Sequence, residues 1–221
     1  MLLAFRALFK LLIGFVLFFL LIFAPIGTIS FWNGWLLLIS VFVPIIFIGA
    51  YLLCKKPDLL EKRLKGKEVD KEQGKVVLFS SILFLVGLPL SSLDVRYGWL
   101  LLPDWVAWIG VVNILISFIG YFEVLRENEY LSRIVEVQEG QKVIDTGLYR
   151  FVRHPMYSVT VLLFMSMPLV LCSLLSFIVF LFYPFIIMKR IYNEEKYLEK
   201  ELMGYIEYKQ RVKYRLFPFI W

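Results

Sequence analysis

The stretch that decides the fold is RHPMYSVTVLLFMSMPLVLCSLLSFIVFLFYPFIIMKRIYNEE, residues 153–195. Its apolar centre runs from Met156 to Met188. A helix needs about 20 apolar residues to cross a bilayer. The run is therefore too long for one simple span and too short for two full ones. Pro168, Cys172-Ser173 and Ser176 interrupt it. The reading taken is a tilted or short helical hairpin that turns near Cys172 to Ser176. A single kinked span is the alternative, but it would place the basic tail on the face opposite the other lysines and arginines. A hairpin brings the two polar ends together, so Arg153, His154 and Tyr157 face Arg190, Glu194 and Glu195.

The rest of the chain supports a membrane setting. Of its 221 residues, 60% are hydrophobic and 18% aromatic, beyond the roughly half apolar content of a soluble domain. Four further spans are predicted, at about Leu11 to Ile29, Trp32 to Cys54, Val76 to Leu93 and Asp104 to Leu125. Isolated spans must satisfy their own backbone hydrogen bonds, so they are helices. Gly27 and Asn33-Gly34 are read as a polar turn between the first two, and Pro44 and Pro89 as kinks. The expected fold class is all-α: a polytopic integral membrane bundle of four spans plus a C-terminal helical hairpin, with cytoplasmic loop and tail helices. It forms one domain, 1–221. Arg6 and Lys10 precede an apolar run longer than a signal-peptide core, with no A-x-A cleavage site, so that run is expected to stay as an anchor. Cys54 and Cys172 are too few for a disulfide framework or a metal site and are read as small buried hydrophobes.

Charge sets the topology. The chain has 24 Lys and Arg. With alternating spans and a hairpin, all of them except Arg96 fall on one face. The positive-inside rule assigns that face, and both termini, to the cytoplasm of a plasma membrane or endoplasmic reticulum. The net charge of +6 then describes a surface facing anionic lipid. Nucleic-acid binding is set aside, because the lysines alternate with acids beside lipid-embedded spans.

Two polar segments flank the spans. In KKPDLLEKRLKGKEVDKEQGK, residues 55–75, Asp58 and Glu61 are read as a capping box opening a short interfacial helix with Leu59, Leu60 and Leu64 as its apolar stripe. A structural role is expected for this loop. The tail from Arg190 is predicted helical to about Leu202, broken near Gly204, with Tyr197, Tyr205, Tyr208, Tyr214 and Trp221 as a peripheral aromatic belt.

Pro155 suits the first turn of a helix, with His154 or Arg153 at the cap. Such a start offers free backbone N–H groups and a positive dipole end, and Arg153 adds a fixed cation. Taken alone, these residues read as ordinary boundary anchors. The second cluster, KRIYNEE, changes that balance. Arg190 and Glu194 share a helix face, and a hairpin sets them opposite RHPMY. Carboxylates there can hold hydroxyls or balance a cation, and arginines can grip a carboxylate through two hydrogen bonds.

The pattern VQEGQKVIDTGLYRFVRHPMY (137–157), the following EE and the tail GYIEYKQRVKYRLFPFIW resemble the isoprenylcysteine carboxyl methyltransferase family. That family is related to membrane phospholipid methyltransferases. The resemblance covers about Glu123 to Trp221. It implies a transmembrane scaffold over 1–125, a cofactor and catalytic half over 126–221, and a cytoplasm-facing pocket for S-adenosylmethionine. The implied lining is Gln138, Gln141, Lys142, Val143, Ile144, Tyr149, Arg153, His154, Pro155, Met156 and Tyr157. Glu194 would hold the cofactor and Arg190 would meet a substrate carboxylate, with the choice between Glu194 and Glu195 left open. Members commonly carry Gly just after the RHPxY tyrosine, where this chain has Ser158 and Val159.

The chemistry agrees with the residues. A carboxylate acceptor is ionised at neutral pH and needs no general base. An amine acceptor would need one, and His154 or Glu195 would serve. No G-x-G-x-x-G fingerprint is present. The expected activity is S-adenosylmethionine-dependent methylation of a lipid-like acceptor, such as a prenylated cysteine entering from the bilayer. The alternatives are a phospholipid or amine N-methyltransferase, an NADPH-dependent membrane reductase and a non-enzymatic scaffold.

Overall fold

The structure, a computed structural model, describes residues 2–64, 71–132 and 134–221. Among them the regular elements are helices: α1 (Leu2–Ile26), α2 (Trp32–Lys55), α3 (Pro57–Leu64), α4 (Lys71–Tyr97), α5 (Trp105–Glu127), a 3-10 turn at Gly147–Arg150, α6 (Pro155–Val170), α7 (Leu174–Phe180), α8 (Tyr183–Glu201) and α9 (Tyr205–Arg211). Among the described residues five segments are long and apolar enough to cross a membrane: α1, α2, Gly74–Tyr97, α5 and Leu174–Glu201. The protein is an all-α polytopic bundle, as expected.

The hairpin is present, with limbs of unequal length. Its outbound limb α6 has 16 residues, about 24 Å at 1.5 Å per residue, shorter than the roughly 30 Å hydrocarbon core. The return limb, α7 with α8, counts as a span in its own right. The turn lies at Leu171–Ser173, where Cys172 takes φ 55°. Asp94 of α4, fully buried, fastens it. Its carboxylate accepts from Ser173 Oγ at 2.6 Å and from Leu100 N at 2.7 Å. Ser173 Oγ in turn accepts from Ser176 N and caps α7.

Four sequence expectations are corrected. Asn33 and Gly34 lie inside α2, and the turn before it contains Gly27, at φ 77°. Asn33 Nδ2 instead donates to Val170 O, tying α2 to the hairpin tip. Pro57 takes the first position of α3 and Asp58 follows inside its first turn, so Asp58 cannot act as an N-cap; residues 65–70 of that loop lie outside the described residues. Cys172 is buried but Cys54 is exposed, because Cys54 is on the outward side of α2. Leu59 and Leu60, expected to lie in the membrane interface, are buried against the rest of the protein instead.

Close approach of α5 to α6 sets the hairpin against the scaffold. A Cβ at Gly110 would stand 2.7 Å from Val170 Cγ2, 2.8 Å from Val170 N and 3.0 Å from Ser166 O. Two of these atoms are backbone and cannot rotate away. Gly110→Val is expected to cost about 1–3 kcal/mol through overpacking, read as a lower thermal midpoint in detergent. An unchanged midpoint would show that α5 and α6 separate freely.

Candidate functional site

Pro155 opens α6 and His154 is its N-cap residue. The backbone just ahead is held by the tail, because Arg153 N donates to Tyr214 O at 2.9 Å and His154 N to Arg215 O at 3.0 Å. The tail is thus docked and does not form a peripheral belt. Tyr205 and Tyr208 are buried in it, and Tyr208 Oη donates to Tyr149 O. Trp221 stacks on the Arg215 guanidinium.

Arg153, His154 and Glu195 are all buried. Buried charge is tolerated when paired and hydrogen-bonded, and here it is. Arg153 Nε donates to Glu195 Oε1 at 2.7 Å, and its Nη1 donates to the carbonyls of Val212 and Lys213. Arg215 Nε reaches Glu195 Oε2 at 3.0 Å, and His154 Nε2 lies 3.3 Å from Glu195 Oε1. Glu195 thereby joins α8, the start of α6 and the tail.

Its neighbour Glu194 points elsewhere. Tyr157 Oη donates a close hydrogen bond to Glu194 Oε2 and accepts from Arg190 Nε at 2.8 Å. The Arg190 guanidinium also lies over the Tyr157 ring. His154 Nδ1 is 3.8 Å from Glu194 Oε1, so each ring nitrogen faces a carboxylate. The two ends of the hairpin therefore do meet, and Arg153 and Arg190 share one rim.

A cavity of about 620 Å³ opens at this rim. Of the residues singled out in the sequence, Gln141, Lys142, Val143, Ile144, Tyr149, Arg153, His154, Met156, Tyr157, Arg190 and Glu194 line it. Gln138, Pro155 and Glu195 are not among its lining residues. Gln138 instead shapes the loop around Gly140, donating from Nε2 to Tyr130 O and from its backbone N–H to Gln141 Oε1. Tyr149 is buried in the 3-10 turn, and its hydroxyl accepts from Asn128 Nδ2 at 2.8 Å. Burial pushes that phenol well above its usual range.

Several lining residues escaped the sequence reading. Leu17, Phe18 and Leu21 of α1, with Val76, Val77, Phe84 and Leu85 of α4, form an apolar arm. The paired serines Ser80-Ser81 in an otherwise apolar span were the available signal for it. Arg63 of α3 and Tyr205 of the tail also line the cavity. The buried Tyr205 hydroxyl has no hydrogen-bond partner among the described residues. No group of three metal-ligating side chains exists among the described residues.

Fold and site together define a helical membrane protein with a polar rim, bearing arginines and a carboxylate, above a lipid-compatible cavity. Residues 108–200 match the sequence model of the isoprenylcysteine carboxyl methyltransferase (ICMT) family, so this segment is similar to a family of membrane methyltransferases. The match takes in most of α5, the hairpin and both glutamates, in agreement with the resemblance read from RHPMY and EE. No curated protein matches the chain.

Proposed function

We propose that the protein transfers a methyl group from S-adenosylmethionine to the carboxylate of a lipid-like acceptor, most simply a prenylated cysteine, at the cytoplasmic face of its membrane. The observation that carries this reading is one cavity with two characters: a rim built from Glu194, Tyr157 and Arg190, and an apolar arm between α1 and α4.

The residues fit the cofactor. A cavity of about 620 Å³ lies within the roughly 300–1,000 Å³ of small-ligand sites. Glu194 presents a carboxylate suited to hydroxyl or ammonium groups, and Gln141 to Ile144 supply a loop edge beside it. The bound cofactor would supply an electrophilic methyl group on a sulfonium. Arg190, held by Tyr157, would orient the acceptor carboxylate. The apolar arm would take the acceptor's tail and exclude water, which strengthens these electrostatic contacts. No base is required for an ionised acceptor, which agrees with His154 and Glu195 both being engaged with partners. Cytoplasmic sidedness is supported by the basic residues that gather on the rim side.

The test is transfer of labelled methyl from S-adenosylmethionine to an N-acetylated S-prenyl cysteine by the purified protein in detergent. Base-labile label in that acceptor is expected, because a methyl ester hydrolyses in alkali. Label found instead on phospholipid amines would move the acceptor assignment. Turnover of NADPH without methyl transfer would overturn the reading.

A further inference from the structure

Arg63 stands outside the family-matched segment, on the short interfacial helix α3, yet its side chain lines the cavity. Helix α3 is seated to hold it there. Leu59 and Leu60 are buried. Lys56 Nζ donates to the carbonyls of Leu125 and Arg126 at the end of α5, and Lys62 Nζ to Glu129 O. The helix is thus fastened to the strip of chain, 125–132, that runs into the cavity wall.

The guanidinium's hydrogen-bond partners among the described residues are neutral. Nη2 donates to Tyr121 Oη at 3.1 Å, Nη1 to Ser132 O at 3.3 Å, and the Tyr121 ring lies 5.7 Å away. Among the described residues no carboxylate pairs with it. An arginine has five N–H donors, so a planar acceptor can still be held through the remaining ones. The balance of charge around the cavity points the same way. Glu195, off the cavity, neutralises Arg153. The lining then keeps Arg63, Lys142 and Arg190 against Glu136 and Glu194. A half-buried cation that has no counter-ion among the described residues, in a cavity whose described lining carries surplus positive charge, is balanced most economically by an anion on the ligand.

We propose that Arg63 is a ligand-binding residue of this site, and that it holds a carboxylate. The inference rests on the methyltransferase reading for the identity of the ligands. Two sources share the chemistry: the amino-acid end of the methyl donor and the acceptor itself. Arg63 enters from α3 and Arg190 from α8, so a cavity holding both carboxylates has one guanidinium for each.

The test uses the full chain in detergent, as wild type, Arg63→Gln and Arg63→Lys. Binding of S-adenosylhomocysteine is compared by calorimetry with that of 5′-methylthioadenosine, which lacks the amino-acid carboxylate. KM for the prenyl-cysteine acceptor is measured alongside. If Arg63 holds the donor, Arg63→Gln weakens S-adenosylhomocysteine about 10- to 100-fold and leaves methylthioadenosine unchanged. If it holds the acceptor, both nucleosides bind as in wild type and acceptor KM rises by a similar factor. Arg63→Lys, which keeps the charge but loses the planar fork, recovers part of either loss. Unchanged affinities and KM in Arg63→Gln overturn the proposal, whatever happens to its thermal midpoint. Wild-type protein that binds neither nucleoside overturns the methyltransferase reading, and this inference with it.

Discussion

Glu195→Ala is expected to destabilise the protein severely, by about 3–5 kcal/mol. The substitution would leave Arg153, 5 % exposed, without its carboxylate in an interior that hydrates a lone cation poorly. Arg215 and His154 would lose the same partner. The anchorage lost joins α8 to the start of α6 and to the tail, so the loss reaches the whole rim. The measurement is the thermal midpoint in detergent, with proteolysis of the tail as a second reading. Arg153→Ala should cost a comparable amount, and the double substitution clearly less than the two added together, because the residues are in direct contact. Strict additivity would show that Glu195 is not the shared keystone.

Glu194→Gln should behave in the opposite way. Its side chain is 21% exposed and faces the cavity, so replacement by the isosteric amide leaves the fold and the midpoint nearly unchanged. What it removes is a charged acceptor at the place proposed for the methyl donor. Loss of one charge-assisted hydrogen bond is worth about 1.5–3 kcal/mol, or about 10- to 100-fold in affinity for S-adenosylhomocysteine. Tyr157→Phe should produce a milder loss, because Arg190 and Glu194 would both lose the hydroxyl between them. Wild-type affinity in Glu194→Gln would take Glu194 out of the proposed pocket. The paired result, one glutamate failing in stability and the other in binding, separates two adjacent residues of the same type.

That pair also marks where the sequence stops being informative. Apolar run lengths and the one-sided placement of Lys and Arg are enough to give the spans and the hairpin, because each follows from membrane thickness or surface charge. They also put RHPMY opposite EE. Neighbours on a helix point about 100° apart, so which glutamate faces the cavity depends on how α8 is rotated, and contacts from α6 and the tail set that. Arg63 was hidden for a related reason. On a short amphipathic helix a charged residue reads as solvated, and only the docking of Lys56 and Lys62 onto 125–132 turns it inward. Tyr205 and Tyr208 fit a membrane-surface belt as well as a buried dock in composition alone. The carbonyls of Val212 to Arg215, which receive Arg153 and His154, decide between the two.

The buried Asp94 at the hairpin tip has a consequence for ligands. With Asp94 clamping one end and Glu195 the other, the α6–α8 wall is stapled top and bottom and behaves as the stationary jaw of a vice. The opposing jaw is α1, where only Ile22 and Phe23 are buried, while Phe15, Phe18 and Phe19 pack its inner side on α2 and α4. Acceptors with tails of differing girth would then be met by rearrangement of the α1 and α4 side chains that line the apolar arm, while the reacting groups at the rim stay in register.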